Sequence, residues 1–415
     1  MKLAILAIIT LLVFSNLAQA DPFDHIMSRS STKSDFGKWL EKKVWPGAKA
    51  RGISRRTFDK ALSSVKPDWD IPDLIKPGSK KTPSGKQSEF SSPSKYFRPG
   101  GINYLVRHGS GLLRTWKDEL DVIERRYGVP RNIIIAIWGR ETNYGKAALP
   151  QSAIRTLATL AYAGSRKEMF LNELLSALTI VEKHRIKPSE LKSSWAGALG
   201  HPQFMPSKYL QYAVDFDGNG KADIWNSVPD SLASIANFLK QHDWRSNRDW
   251  GFESVVPQSV SCTLEGPDQG QPISAWSKMG VKRVKDRVFP AKELPLNGYL
   301  LFPAGRFGPV FLVTENFYVL KQYNESDLYA LFIGHVADRL SGGKDFVNQW
   351  GKVGSFYRSD VRDMQLALEK QGHDVGGADG LVGFKTRRSV GKWQEQQGMR
   401  ATCFPDAALV KKFAQ

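Results

Sequence analysis

Glu141 is the residue whose placement suits acid–base chemistry. It lies near the end of a segment in which Pro130 fits a first helical turn and Gly145 fits a stop. Ile134, Ile137, Trp138 and Glu141 recur at i, i+3, i+4 and i+7, so the carboxylate shares a helix face with an apolar stripe. A carboxyl beside a Trp on such a stripe loses solvation, its pKa rises, and it holds a proton near neutral pH. That is the state a general acid needs to protonate a glycosidic oxygen. The same spacing equally suits a glutamate at a helix end that reaches solvent and pairs with Arg140 or Lys146.

Two further segments carry chemistry. From Ser193 to Ser207, the small residues Gly197, Ala198 and Gly200 allow close backbone approach, and Gln203 stands beside an apolar Phe204-Met205 wall. Sugar rings need that combination of a flat apolar surface and amide hydrogen bonds; Gly-Ala packing between helices would read the same way. In the loop beginning at Asp215, oxygen donors fall on Asp215, Asp217, Asn219 and Asp223, with the Lys221 carbonyl between them and Gly220 at the tight turn. This is the pattern of an EF-hand-type calcium loop, except that Asn226 replaces the closing bidentate glutamate; Asp230 lies close enough in sequence to complete the shell. An Asp/Asn-rich turn without a cation is the alternative. The seven histidines include no H-x-x-x-H pair, and there is no P-loop and no G-x-G-x-x-G after a strand. Ser341-x-x-Lys344 lacks the companion strings of a penicillin-binding site and is read as chance.

These segments must be positioned by a mainly α-helical chain. Of 415 residues 41% are hydrophobic and 24% charged, which excludes wholesale disorder and fibrous repeats and leaves room for two or more domains. Residues 1–20 read as a cleaved secretory signal: Lys2, the apolar run Leu3–Phe14, and the small-x-small site Ala18-Gln19-Ala20. No cysteine follows the cut, so an exported, soluble periplasmic protein is expected rather than a lipoprotein, and no later segment is apolar enough to span a bilayer. The net charge of +18 then points to an anionic envelope polymer or membrane surface and not to nucleic acid. Helical spacing fills 102–245, with segments near 113–127, 131–143, 151–163, 167–184 and 229–241; Phe36, Trp39, Leu40 and Val44 extend it upstream. Residues 77–100 form an irregular segment rich in Pro, Gly, Ser and Lys, 252–325 form a small strand-rich insertion, 343–357 a linker, and 358–415 a terminal unit. Cys262 and Cys403 fall in different units and are read as two free thiols, although an oxidising compartment would permit a bridge.

Taken together, Glu-Thr-Asn-Tyr-Gly at 141–145, Trp-Ala-Gly-Ala-Leu-Gly-x-x-Gln-Phe-Met-Pro-Ser at 195–207, the Asp-rich loop, and Asn316-Phe317-Tyr318 with Tyr323-Asn324 resemble the lytic murein transglycosylase B family. The resemblance implies a lysozyme-like helical domain over 21–342 that grips peptidoglycan glycan strands. It also implies cleavage of the bond between N-acetylmuramic acid and N-acetylglucosamine without water, leaving a 1,6-anhydro end. On this reading Glu141 is the sole acid/base, since the substrate's own C6 hydroxyl is the nucleophile. Tyr144, Ser194, Gln203, Phe204 and Asn316 would bind substrate, Tyr323 would stabilise positive charge at the anomeric carbon, and Arg166 and Lys167 would meet peptide or lactyl carboxylates. No cofactor is implied for the chemistry; a structural calcium would sit on Asp215, Asp217, Asn219, Lys221, Asp223 and Asp230. His201-Pro202 departs from the usual small or aromatic pair, which puts the local groove shape in question. Residues 358–415 resemble a three-helix peptidoglycan-binding module, through Leu366-x-Leu368, Asp379-Gly380 and Gly383-x-x-Thr386. A hydrolytic muramidase with a second carboxylate and a non-catalytic wall-binding scaffold remain as alternatives. Association with a cell-wall synthesis or division complex and the oligomeric state are left open.

Overall fold

The computed structural model describes residues 32–71, 93–184, 186–353 and 356–413. The expected signal segment and most of the irregular 77–100 segment lie outside the described residues. Helices α1 (Thr32–Trp39), α2 (Trp45–Ala50) and α3 (Arg55–Leu62) open the described chain, with a π turn at Leu40–Val44 joining the first two. That turn keeps Phe36, Trp39, Leu40 and Val44 all buried. There follow α4 (Pro93–Tyr96), α5 (Pro99–Thr115), α6 (Lys117–Tyr127), α7 (Arg131–Thr142), α8 (Ala153–Ala163), α9 (Lys167–His184), α10 (Pro206–Tyr212) and α11 (Val228–Gln241). A short pair, β1 (Gln151–Ser152) and β2 (Lys192–Ser193), ties the start of α8 to the segment after α9. Ends are set locally: Ser152 Oγ accepts from Arg155 N and Ser227 Oγ from Asp230 N, while Gly128 closes α6 in the left-handed region.

α7 is the hub. It packs against α5, α6, α11 and α14 (Asp327–Leu340). Consequently Ile133 through Gly139 are all buried, and the single apolar face expected from the spacing is in fact a helix enclosed on nearly every side.

Beyond α11 the chain builds a five-stranded antiparallel sheet, ordered β4 (Gln271–Pro272), β6 (Asn297–Leu301), β8 (Val310–Val313), β3 (Gly251–Val255), β5 (Lys282–Arg283), with β7 (Pro303–Arg306) beside it and α12 (Ile273–Lys278) packed against it. It has its own core of Phe252, Ile273, Trp276, Leu300, Phe302 and Leu312. α13 (Glu315–Tyr323) and α14 then return to the helical body. Residues 344–353 do not hang free: Val347 N and Asn348 N donate to Glu253, and Trp350 stacks on Phe97. The terminal unit has three helices, α15 (Arg358–Lys370), α16 (Phe384–Gln396) and α17 (Ala407–Phe413), closed over Val361, Met364, Leu368, Val390 and Trp393.

The reading of two free thiols is overturned. Cys262 and Cys403 form a disulfide across a sequence separation of 141, because α16 docks on the sheet unit beside Cys262–Leu264 and brings the two units into contact. Around it, Ser261 Oγ donates to Glu395, Arg388 pairs with Asp268, and Arg306 N donates to the Thr402 carbonyl.

Candidate active site

Glu141 occupies the last turn of α7, half-buried, and the backbone turns sharply after it: Asn143 and Tyr144 both take left-handed φ, at 50° and 61°. Its Oε1 accepts a hydrogen bond of 2.5 Å from the hydroxyl of Tyr329, which projects from the first turn of α14. Burial pushes the Glu141 carboxyl up to about 7; the Tyr329 hydroxyl and the charges of Arg140 and Lys208 pull the other way without cancelling it. Lys208, on α10, has its own pKa lowered by burial despite the nearby Glu141 charge. Burial and the Glu141 charge together raise both Tyr323 and Tyr329 well above the ordinary phenol range, so both stay neutral donors. Their rings stack with centroids 6.4 Å apart and planes 10° from parallel.

The segment after β2 is folded as a tight loop against this pair. Ser194 N donates to the Ala198 carbonyl, and Leu199 and Phe204 exchange backbone hydrogen bonds. Gly200, at φ 58°, must be glycine: a Cβ there would lie 2.5 Å from the Ile224 carbonyl oxygen. Gln203 is also left-handed, with Nε2 donating 2.9 Å to the Gly200 carbonyl, and Tyr323 donates 2.7 Å to the Pro202 carbonyl. Phe204 is buried against the Tyr323 ring at 5.9 Å, while Trp195, earlier in the same segment, leaves 43% of its surface exposed. The His201 ring stacks on Trp138 and fills the space that Gly145 leaves, since a Cβ on Gly145 would come 2.6 Å from it. The uncommon His201-Pro202 pair is therefore built into the contact between this loop and the end of α7.

The structure thus brings Glu141, Tyr323, Gln203 and Phe204 into one neighbourhood with the Ser194 loop. It places others elsewhere. Tyr144, expected to bind substrate, is 6% exposed; its hydroxyl donates to the Leu105 carbonyl and its ring edges onto Trp138. Asn316 is fully buried and spends its amide on the backbone of Arg245 and Arg248. Both are internally bonded and buried, and Phe204, though in the neighbourhood of Tyr323, is 1% exposed, so none of the three lines an open surface. Arg166 and Lys167 lie exposed at the start of α9, with Arg166 over the Phe170 ring. Tyr329 and Lys208 were not anticipated; the one local sign for Tyr329 is the helix start Ser326-Asp327, which fixes it in a first turn six residues after Tyr323.

In the Asp-rich loop, carboxylate oxygens of Asp215, Asp217 and Asp230 lie within 4.8 Å of one another. Asp215 also accepts from Gly218, Asn219 and Gly220 N, and Asp230 accepts from Phe216 and Asp223 N. Asp223 instead turns its carboxylate to Trp225 N and Asn226, and the Asn219 side chain accepts from Lys221 N. Three converging hard oxygen donors suit a divalent cation such as calcium.

Comparison with known proteins shows the family. The family profile for the transglycosylase SLT domain matches residues 35–338, and that for a peptidoglycan binding domain matches 357–412. The chain is 31% identical over 268 residues to the membrane-bound lytic murein transglycosylase B of Escherichia coli (strain K12), which covers 63% of this chain and 70% of that protein. It is similar to Pseudomonas aeruginosa SltB3 solved in complex with NAG-anhNAM-pentapeptide, with 37% identity, a TM-score of 0.82, and coverage of 92% of this chain and 99% of that one. The Escherichia coli lytic transglycosylase Slt35 in complex with calcium matches at 25% identity and a TM-score of 0.56, over 77% of this chain and 94% of that one.

Proposed function

Because the chain belongs to the transglycosylase SLT family and is a peptidoglycan lytic transglycosylase, we propose that Glu141 is its single acid and base. The observation that carries this reading is a half-buried carboxyl held at about 7 with one oxygen bonded to Tyr329. Near neutral pH a large share of the enzyme holds the proton, and it passes to the glycosidic oxygen as the bond to the muramoyl C1 breaks. The resulting carboxylate keeps the Tyr329 hydrogen bond and the nearby Lys208 charge, so the ionised form is supported as it appears. It then accepts the proton of the same sugar's C6 hydroxyl while that oxygen closes on C1, giving the 1,6-anhydro ring and returning Glu141 to its acid form. No water enters the product, because the nucleophile is already held in the substrate. Gln203, Ser194 and the exposed Trp195 are read as the groups that hold the saccharide, with Phe204 packed against the Tyr323 ring. Arg166 and Lys167, at the exposed start of α9, are assigned to substrate carboxylates. In this reading residues 21–342 form the catalytic body, 343–357 the connection and 358–415 a wall-binding module, which raises the local concentration of glycan.

Digestion of purified sacculi tests this directly. Released muropeptides are expected to carry anhydro ends, lighter by one water than reducing ends; reducing ends would make the enzyme a hydrolase. The first twenty residues support export to the periplasm. Among the described residues, no helix is long and apolar enough to cross a membrane.

The Asp215 loop is read as a calcium site held by Asp215, Asp217 and Asp230. A divalent cation there would offset two of the three negative charges of the close carboxylates and fix the loop that precedes α11. With the position usually taken by a bidentate glutamate filled by Asn226, affinity is expected in the weak range of about 10⁻⁴–10⁻³ M, seen as a rise in melting temperature with millimolar calcium that Asp217→Ala abolishes.

A further inference from the structure

One side chain of the terminal module reaches the turn that carries the two active-site tyrosines. Arg387 on α16 is 2% exposed. Its guanidinium grips Glu265 of the sheet unit, with Nε 3.0 Å from Oε1 and Nη2 3.0 Å from Oε2. The same Nη2 donates 2.8 Å to Oδ2 of Asp327. Asp327 is the first residue of α14, and its other oxygen accepts 2.6 Å from Lys321 of α13. Between the two helices the chain turns in three residues, 324–326, from Tyr323 at the end of α13 to Asp327. Asn324 Oδ1 accepts from Ser326 N, and Ser326 Oγ accepts from Tyr329 N, so the backbone of Tyr329 is fixed by the same turn that Asp327 anchors.

On its outer side this turn is not packed. Residues 324–328 border a cavity of about 450 Å³ whose far wall is the module, at Leu381, Val382 and Phe384. Close packing, which ordinarily fixes a helix end, is missing there, and a buried charge network takes its place. Burial pushes the Asp327 carboxyl up, but Arg387 and Lys321 more than reverse this, so it stays ionised and keeps both grips.

We propose that the terminal module is part of the catalytic apparatus: Arg387 and Asp327 are positioning residues that set the N-terminus of α14 and hence the reach of the Tyr329 hydroxyl to Glu141. The proposal rests on Glu141 being the acid. A displacement of about 1 Å at a proton-transfer group costs up to about a hundredfold in rate, so a tie two residues from Tyr329 matters to turnover.

The test is steady-state kinetics of the full-length enzyme on a soluble glycan fragment, with melting temperatures measured alongside. Asp327→Asn is expected to lower kcat about threefold, and by no more than Tyr329→Phe does, with KM within about 1.5-fold. Glu265→Gln, which touches Arg387 but not α14, is expected to lower the melting temperature and leave kcat within about twofold. Arg387 then still holds Asp327 and the Val382 carbonyl. In a Tyr329→Phe background Asp327→Asn is expected to add little, because it acts through the hydroxyl already removed. An unchanged kcat in Asp327→Asn, a full multiplication of the two losses, or a kcat that follows melting temperature equally in both carboxylate variants overturns the proposal. If Asp327→Asn does not fold, Arg387→Lys carries the same test, since a single nitrogen cannot reproduce the fork by which the guanidinium holds Glu265, Asp327 and the Val382 carbonyl at once. Turnover retained by Glu141→Gln would instead remove the reading of Glu141 itself, so the two failures are separable.

Discussion

Glu141 and Glu265 are both withdrawn from water, and burial pushes both carboxyls up to about 7. Their company differs. Glu265 is 0% exposed, faces a guanidinium at 3.0 Å on each oxygen, and also accepts from Phe302 N, so its lone pairs are spent inside the protein. Glu141 has one neutral phenol on one oxygen and an open side. A raised carboxyl pKa is therefore not the mark of catalysis in this molecule, since Asp338, bonded to Trp250, is also held at about 7. What separates Glu141 from Glu265 is that, among the described residues, a hydrogen bond reaches only one of its two oxygens, and that the donor is a neutral hydroxyl and not a guanidinium.

The largest expected effect breaks the comparison on its catalytic side. Glu141→Gln keeps shape and the Tyr329 contact but holds no proton to exchange, so turnover is expected to fall by about 10²–10⁴-fold in a muropeptide-release assay while binding to sacculi persists. Next comes the partner. The Tyr329 hydrogen bond favours the charged form, so Tyr329→Phe should raise the Glu141 pKa further. The high-pH limb of kcat, where the acid loses its proton, is then expected to move up by about half to one pH unit, and kcat at neutral pH to fall about 3- to 10-fold. A limb that stays in place would detach Tyr329 from the titration.

The withdrawal of Glu141 from water was legible because helical period is a local property: Trp138, Ile137 and Ile134, which are buried, lie three, four and seven positions upstream. The long helices were legible for the same reason, although the segment expected at 113–127 is two helices, broken where Trp116 leaves helical geometry. Tyr329 was not legible, since its contact with Glu141 joins positions 188 apart through packing of α14 on α7. Nor was the Cys262–Cys403 bridge, which depends on how the terminal module docks. The burial of Tyr144, Asn316 and Phe204 was not legible for another reason. A family string mixes residues that touch substrate with residues that hold the backbone in shape, and only burial tells them apart: Gly139 leaves room for the Tyr144 ring to fold back, since a Cβ there would lie 2.6 Å from it.

The smallest effect sharpens the comparison through stability. A carboxyl with an unfolded pKa near 4.5 and a folded one of about 7 keeps its proton in the folded state over a window in which the unfolded chain has released it. Raising pH through that window therefore favours unfolding, and above pH 7 the folded protein carries the full penalty of a buried charge. Glutamine carries no such penalty. Glu141→Gln is thus expected to match the parent in stability near pH 4 and to exceed it at pH 8 by up to about 3 kcal/mol, measured by denaturant unfolding at both pH values. Glu265→Gln is expected to be less stable than the parent at both pH values, because glutamine offers the Arg387 guanidinium one acceptor oxygen in place of two and turns an N–H toward it, with the deficit smaller at pH 8 than at pH 4 by the same linkage. Opposite signs from two glutamates with the same displaced pKa would show that one is kept ionisable at a cost to the fold, and the other is part of what holds the fold together.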